Sequence, residues 1–121
     1  MEADLRSGRD ARLICRLHEI PDGGARGFTI ETPRGARDIL IVRRGDAVFA
    51  YENSCPHVGT PLDWVPDQFL SGDGSHIVCA THGAKFRIED GMCFSGPCHG
   101  LPLPSIAVEI RSGAVMLAAE A

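Results

Sequence analysis

Cys55-Pro56-His57-Val58-Gly59-Thr60-Pro61-Leu62 and Cys79-Ala80-Thr81-His82-Gly83 are the stretches on which the reading of this chain turns. Twenty-one residues intervene between His57 and Cys79. Each stretch offers one thiol and one imidazole within a few residues and then a glycine, the composition of a tight loop rather than a helix. Cys55 and His57 alternate around Pro56, so both side chains can point inward, and Cys79 with His82 can do the same. Gly59 and Gly83 allow the backbone to fold closely and to aim N–H groups at the sulfurs. Two sulfur and two nitrogen donors make a metal-ligand set.

Two kinds of centre use such donors. Zinc takes Cys2His2 sets tetrahedrally, but a C-x-H spacing is tighter than the usual zinc C-x(2–4)-C knuckle. A variant zinc site built from Cys79, His82, Cys93 and Cys98 would leave Cys55 and His57 idle. A two-iron, two-sulfide cluster with unequally ligated irons uses two cysteines on one iron and two histidines on the other. One thiolate and one imidazole from each loop suit that division.

Outward from these loops, glycine (14) and proline (8) punctuate short β-branched or alternating runs. The pattern predicts strands at Arg12–Ile20, Gly27–Thr32, Asp38–Arg43, Ala47–Tyr51, His76–Cys79, Ala84–Ile88, Ile106–Ile110 and Ala114–Leu117. Turn signals such as Asp22-Gly23-Gly24, Arg44-Gly45-Asp46, Gly72-Asp73-Gly74, Asp90-Gly91 and Ser112-Gly113 separate them. Many short, evenly spaced strands indicate an all-β fold, an antiparallel sandwich or barrel. At most one helical turn is expected, near Pro66–Phe69. The ligand loops fall between strands, so residues 53–97 read as a cluster-binding subdomain inserted in a β base of residues 12–52 and 100–118. Residues 1–11 read as a flexible tail.

At 121 residues the chain suits one domain with a hydrophobic core that needs no disulfide staples. A net charge of −4 argues against nucleic-acid binding, which calls for a basic patch, and is compatible with docking to a positively charged protein. No stretch approaches the roughly 18 apolar residues of a membrane span, and the polar N-terminus shows no secretory signal or twin-arginine pair. Five cysteines, an odd count, speak against a complete disulfide framework. A cytoplasmic protein with no membrane contact is expected.

The order C-x-H, spacer, C-x-x-H, Gly resembles the Rieske [2Fe-2S] iron–sulfur family, and most nearly its soluble ferredoxins. Pro61-Leu62 continues that family's first loop, and Ser95-Gly96-Pro97 resembles the proline loop that covers its cluster. The resemblance implies a Rieske-like antiparallel β base with an inserted cluster subdomain, and one [2Fe-2S] cluster per chain held by Cys55, His57, Cys79 and His82. A fold of this kind without its cofactor is not expected to keep all four ligand types. Three departures stand out. The spacer is longer than usual, and Trp64–Ser75 is expected to form an extended flap near the cluster. Thr60 and Thr81 occupy the positions where respiratory members carry cysteines that join in a disulfide. Ala84 and Phe86 stand where high-potential members place a serine and a tyrosine that donate hydrogen bonds to the cluster, so a low potential is expected.

The remaining reactive residues read more plainly. Cys15 lies in an alternating run and suits a small buried hydrophobe. Cys93 and Cys98 lie near the presumed cluster loops and are expected to be structural, with redox sensitivity as the alternative. His99 suits a surface loop, and His18 and His76 carry no assigned function. Trp64 and Phe69 suit cluster shielding or ordinary packing. Glu31 and Glu52 have no acid–base partner apparent in the sequence, and no Gly-rich phosphate motif for flavin or nicotinamide exists.

What the resemblance implies is a monomeric one-electron carrier, not an enzyme, passing electrons from a flavin-dependent reductase to a terminal enzyme such as an oxygenase. The histidine-ligated iron should be the redox-active one, since neutral imidazoles favour Fe(II) more than thiolates do. The alternative is a small Rieske subunit of a larger oxidoreductase, nitrite-reductase-like or an oxygenase component. A whole oxygenase needs a catalytic domain for which the chain has no room. It also needs a 2-His-1-carboxylate iron site, and the three remaining histidines are scattered.

Overall fold

The run Ile39-Leu40-Ile41-Val42 is apolar at four successive positions, which a strand with one wet face would not tolerate. In the computed structural model, which describes residues 11–32, 35–56, 59–63, 65–81 and 83–118, all four side chains are buried. They form the middle of a central strand. Successive residues of a strand point to opposite faces, and here each face has its own core. Ile39 and Ile41 pack with Cys15, Ile20, Ile30, Ala50 and Val115. Leu40 and Val42 pack with Tyr51, Leu62, Phe69, Phe86 and the cysteines of both ligand loops. Each such side chain contributes roughly 1.5–3 kcal/mol by burial, so this strand anchors both halves of the molecule.

In chain order the strands are β1 (Ala11–Arg16), β2 (Ala25–Thr32), β3 (Gly35–Arg44), β4 (Ala47–Glu52), β5 (Ile77–Val78), β6 (Lys85–Phe86), β7 (Cys93–Ser95), β8 (Val108–Arg111) and β9 (Ala114–Ala118). Among the described residues they form three antiparallel sheets, ordered β2-β3-β4, β1-β9-β8 and β5-β6-β7. The β8–β9 hairpin closes through Ser112 and Gly113, with φ of 50° and 78°. Positive φ at both central residues matches the twist of a tight hairpin. The architecture is the expected all-β one.

Four details differ from the sequence reading. The first run stops at Arg16, because Leu17 turns its N–H to the Gly113 carbonyl (2.8 Å) and Leu17–Glu19 forms a 3-10 turn. Near Pro66 a single reverse turn stands instead of a helical one, closed by Gln68 N–H to the Val65 carbonyl at 3.0 Å. Strand β7 was not expected; it is three residues long between two glycines, too short for a periodicity signal. Glu52 does have a partner, the Arg37 guanidinium.

The spacer is a hairpin arm rather than a flap. Val78 N–H bonds the Phe69 carbonyl (2.8 Å) and Ser71 N–H the His76 carbonyl (2.9 Å), with an isolated bridge between Leu70 and Ile77. Asp73 closes the tip by accepting from Ser71 Oγ, Ser75 Oγ and the Ser75 N–H. The arm is fastened to β2: Gly27 N–H donates to Asp67 Oδ1 at 2.8 Å, and Phe69 is fully buried against Gly27. A Cβ at position 27 would lie 3.2 Å from the Phe69 ring. Trp64 lies outside the described residues, as does the tail over residues 1–10.

Candidate metal centre

The two ligand loops have the same backbone closure. In the first, Cys55 N–H donates to the Thr60 carbonyl (2.8 Å) and Gly59 N–H donates back to the Cys55 carbonyl (2.7 Å). In the second, Cys79 N–H donates to the Ala84 carbonyl (2.8 Å) and Gly83 N–H to the Cys79 carbonyl (2.8 Å). Gly59 and Gly83 have φ of 79° and 72°. That left-handed conformation is the reason glycine follows each ligand group. Each ring therefore holds its cysteine at one end and its glycine at the other.

The loops are also tied to one another. Ala80 N–H bonds the Leu62 carbonyl at 2.9 Å, and the Thr60 and Thr81 hydroxyls meet at 3.3 Å. A hydroxyl pair thus stands where the family resemblance placed a respiratory disulfide. Asn53 closes the base of the first loop: its Oδ1 accepts from Leu62 N–H (2.7 Å) and its Nδ2 donates to Asp63 Oδ1 (3.1 Å). Nothing in the sequence pattern singled out Asn53; an Asn just after a strand and before a Cys-Pro loop is its one signal. Gly96, with φ 104°, presses against the second loop so closely that a Cβ there would lie 2.8 Å from Ala84 Cα. The Ser95-Gly96-Pro97 segment is in this way laid on the ligand loop, as the resemblance implied.

Both predicted cysteine ligands are buried, Cys55 at 1% and Cys79 at 0% exposure, within one core that includes Leu62, Ala84, Phe86, Ile88 and Leu103. His57 and His82 lie outside the described residues. Among the described residues no group of three or more His, Cys, Asp or Glu side chains converges as a metal site. Two further thiols sit in the same core. Cys98 Sγ lies 3.3 Å from Cys93 Sγ, and Cys93 Sγ donates to the Ser95 carbonyl at 3.2 Å. Burial first, then the Cys93 and Cys55 sulfurs, push the Cys98 thiol's pKa up to about 12. That Cys98 shares a core with Cys55 and Cys79 was not visible in the sequence. Cys15 is in the other core, its thiol pushed up to about 11 by burial and then by Glu19, as a small hydrophobe. His99 is exposed, and His76 stands edge-on to Phe94 with ring centroids 5.5 Å apart.

The residues present fit an iron–sulfur cluster. Two buried thiolates with no cation would be very costly, whereas soft sulfur donors in matched, glycine-closed loops suit iron and sulfide.

The Rieske [2Fe-2S] domain model matches residues 10–107. Ferredoxin CarAc of Metapseudomonas resinovorans is 36% identical over 86 residues, covering 71% of this chain and 75% of that protein. The cytochrome b6-f complex iron-sulfur subunit of Chlorobaculum thiosulfatiphilum is 27% identical over 108 residues, 89% of this chain; the chain spans about half (53%) of its length. Among solved structures, a complex of reduced oxygenase and oxidized ferredoxin in carbazole 1,9a-dioxygenase contains a chain 29% identical to this one. It superposes with a TM-score of 0.70 over 93% of this chain and 95% of the other. The chain therefore belongs to the Rieske [2Fe-2S] family, on its ferredoxin side, and its cofactor is one [2Fe-2S] cluster.

Proposed function

We propose that this protein is a Rieske-type ferredoxin, a one-electron carrier between a flavin-dependent reductase and a terminal enzyme such as an oxygenase. The observation that carries the reading is the matched pair of loops, each opening on a buried cysteine and locked to the other by the Ala80–Leu62 hydrogen bond. Cys55 and Cys79 would hold one iron of the cluster, His57 and His82 the other. When bound, the cluster supplies one-electron redox chemistry. The chain's own residues hold it still. The rings at Cys55 and Cys79, Asn53 and the Gly96 contact fix the loops, and Leu62, Phe86 and Leu103 keep water from the sulfur side.

Similarity to ferredoxin components of oxygenase systems supports the choice of partners. The acidic balance of the chain supports docking to a basic protein surface rather than to nucleic acid. We infer a monomer acting in the cytoplasm: all five thiols are unbridged, in keeping with a reducing compartment. Among the described residues no helix is long and apolar enough to cross a membrane. We further take residues 53–97 as the cluster subdomain and 12–52 with 100–118 as its base. Sheet membership supports this, since the third sheet draws on residues 77–95.

Anaerobically purified protein should contain two irons and two acid-labile sulfides per chain, and the dithionite-reduced form should give a Rieske electron paramagnetic resonance spectrum. A nicotinamide-linked flavin reductase should reduce it, and oxygenase turnover should require it. Stoichiometric zinc without labile sulfide would refute the assignment.

A further inference from the structure

Both ends of the spacer arm run into ligand loops, at Leu62 on the way out and at Val78-Cys79 on the way back. Between these ends the arm is pinned to β2 by Gly27 N–H to Asp67 Oδ1 (2.8 Å) and by Phe69, fully buried against Gly27. Asp67 sits there with a φ of 69°, a left-handed backbone that Asp tolerates better than most residues. An insertion held in this way can fix both loops relative to the base.

Asp63 stands at the junction. Its Oδ2 accepts the Asp67 N–H at 3.2 Å and its Oδ1 accepts from Asn53 Nδ2 at 3.1 Å. A carboxylate accepts and never donates, so the Asn53 amide must turn its NH2 group to Asp63. That leaves the Asn53 carbonyl oxygen facing Leu62 N–H, from which it accepts at 2.7 Å. The Leu62 carbonyl in turn accepts from Ala80 N–H, in the second loop, at 2.9 Å. A continuous run of five hydrogen bonds thus leads from Gly27 through Asp67, Asp63, Asn53 and Leu62 to Ala80.

We infer that Asp63 is the positioning residue that sets the spacing of the two ligand loops, one oxygen orienting the Asn53 amide and the other fastening the arm to it. The inference rests on the reading of these loops as the holders of the cluster. Asp63 acts through Asn53 and Asp67 rather than as a ligand. Groups that orient metal ligands from behind commonly account for tenfold or more of metal affinity. The long spacer gains a purpose on this account: it is a strut, and its length lets it reach β2.

The test uses the cluster-loaded wild type and its variants. Iron and labile sulfide are counted first. Three quantities follow: the rate of iron release to a chelator, the electron paramagnetic resonance line widths of the dithionite-reduced protein, and hydrogen exchange at the Leu62 and Ala80 amides. Asp63→Ala should keep two irons, release them about tenfold faster, broaden the lines as loop conformers multiply, and speed exchange at both amides. Asp63→Asn has the same shape but can donate, which frees the Asn53 amide to turn. It should resemble Asp63→Ala and not wild type. Asp67→Ala should shift all three quantities the same way by less. Asp67→Asn, which keeps an acceptor and suits the left-handed backbone, should behave as wild type. Since both residues act along one run of bonds, the double variant Asp63→Ala/Asp67→Ala should release iron no faster than Asp63→Ala alone.

A loaded Asp63→Asn protein indistinguishable from wild type would overturn the inference, because side-chain shape would then suffice. So would a double variant whose acceleration is the product of the two single ones, the mark of independent sites. Should Asp63→Ala purify without a cluster, Asp63→Asn takes its place in the comparison and in the double variant. A wild type that binds no iron and no labile sulfide would instead sink the functional reading, whereas a loaded wild type with unchanged variants sinks the inference alone.

Discussion

The β base and the cap in which we propose the cluster to sit are built on opposite principles. Strands β2 and β3 pair over eight successive residues without a break, from Ala25 opposite Val42 to Thr32 opposite Gly35. In the cap, β5 and β6 pair over two residues, and β6 meets β7 over two with a register shift between them. The base spreads its stability over a long ladder and the side chains on both faces of β3. The cap has little ladder and concentrates its order in a few groups: the ring at each cysteine, Asn53, Gly91 and Gly96. A single substitution should therefore be absorbed in the base and felt throughout the cap.

The largest expected effect is loss of a cluster ligand. Cys79→Ala or His57→Ala should purify without iron, because the metal supplies folding energy to segments with little core of their own. Hydrogen exchange on such a protein should show the amides of residues 53–97 losing protection while β2, β3 and β4 keep theirs. Equal loss in both regions would mean that base and cap are one cooperative unit and the contrast drawn above is false.

Next in size is the hinge between the regions. Tyr51, on β4, donates its hydroxyl to the Ile88 carbonyl at 2.6 Å and packs against Gly91. A Cβ at position 91 would stand 2.7 Å from the Tyr51 ring, on a backbone with φ of 73°. Gly91→Ala should destabilise the protein by about 2–4 kcal/mol, combining left-handed strain with overpacking. Urea unfolding measures it, and a change below about 1 kcal/mol would show that the hinge yields freely.

Asn53→Ala should cost about 1–3 kcal/mol by leaving Leu62 N–H without its acceptor. The readout that sharpens the comparison is the rate of iron release to a chelator, which should rise while the unfolding of the base changes little.

Tyr51 offers a pH handle. Burial, with the Asp90 and Glu89 charges behind it, raises its pKa to about 12 from 10.0. The folded state thus keeps its proton when the unfolded chain begins to lose it, so this contribution to stability is complete below pH 10 and is lost as pH rises toward 12. Tyr51→Phe should flatten that stretch of the stability profile, and an unchanged slope would show the hydroxyl to be solvated. The smallest effect is Ala84→Ser, which adds a donor beside the cluster. If the new bond favours the reduced form by about 1.4 kcal/mol, the midpoint rises by about 59 mV. A lowered or unchanged value in a loaded protein would count against the hydrogen-bond argument.

Much of this protein could be read before any coordinates, for a local reason. A glycine-closed loop is a short-range object, thiol and a glycine with positive φ within five residues, so the paired loops at Cys55–Gly59 and Cys79–Gly83 announced themselves by type and spacing. Strands β2, β3, β4 and β9 did so as well, because alternation and turn residues act over the same few positions. Strand β7 escaped because three residues carry no period, and the spacer looked like a flap because its anchor, Asp67 to Gly27, joins residues forty apart.

What tertiary structure alone decided is which atoms share a core. Ile39-Leu40-Ile41-Val42 states only that both faces are buried; the packing sends odd positions to the Cys15 side and even positions to the cluster side. Cys98 likewise read as a spare cysteine next to a histidine. Its place in the core that holds Cys55 follows from the Gly96 turn pressing on Ala84 and from Cys93 N–H reaching the Leu101 carbonyl at 3.0 Å, which together bring residue 98 inside. Spacing along a chain encodes contacts within one turn or one strand. Contacts across forty residues depend on how separately formed pieces pack, and one sequence window does not contain that information.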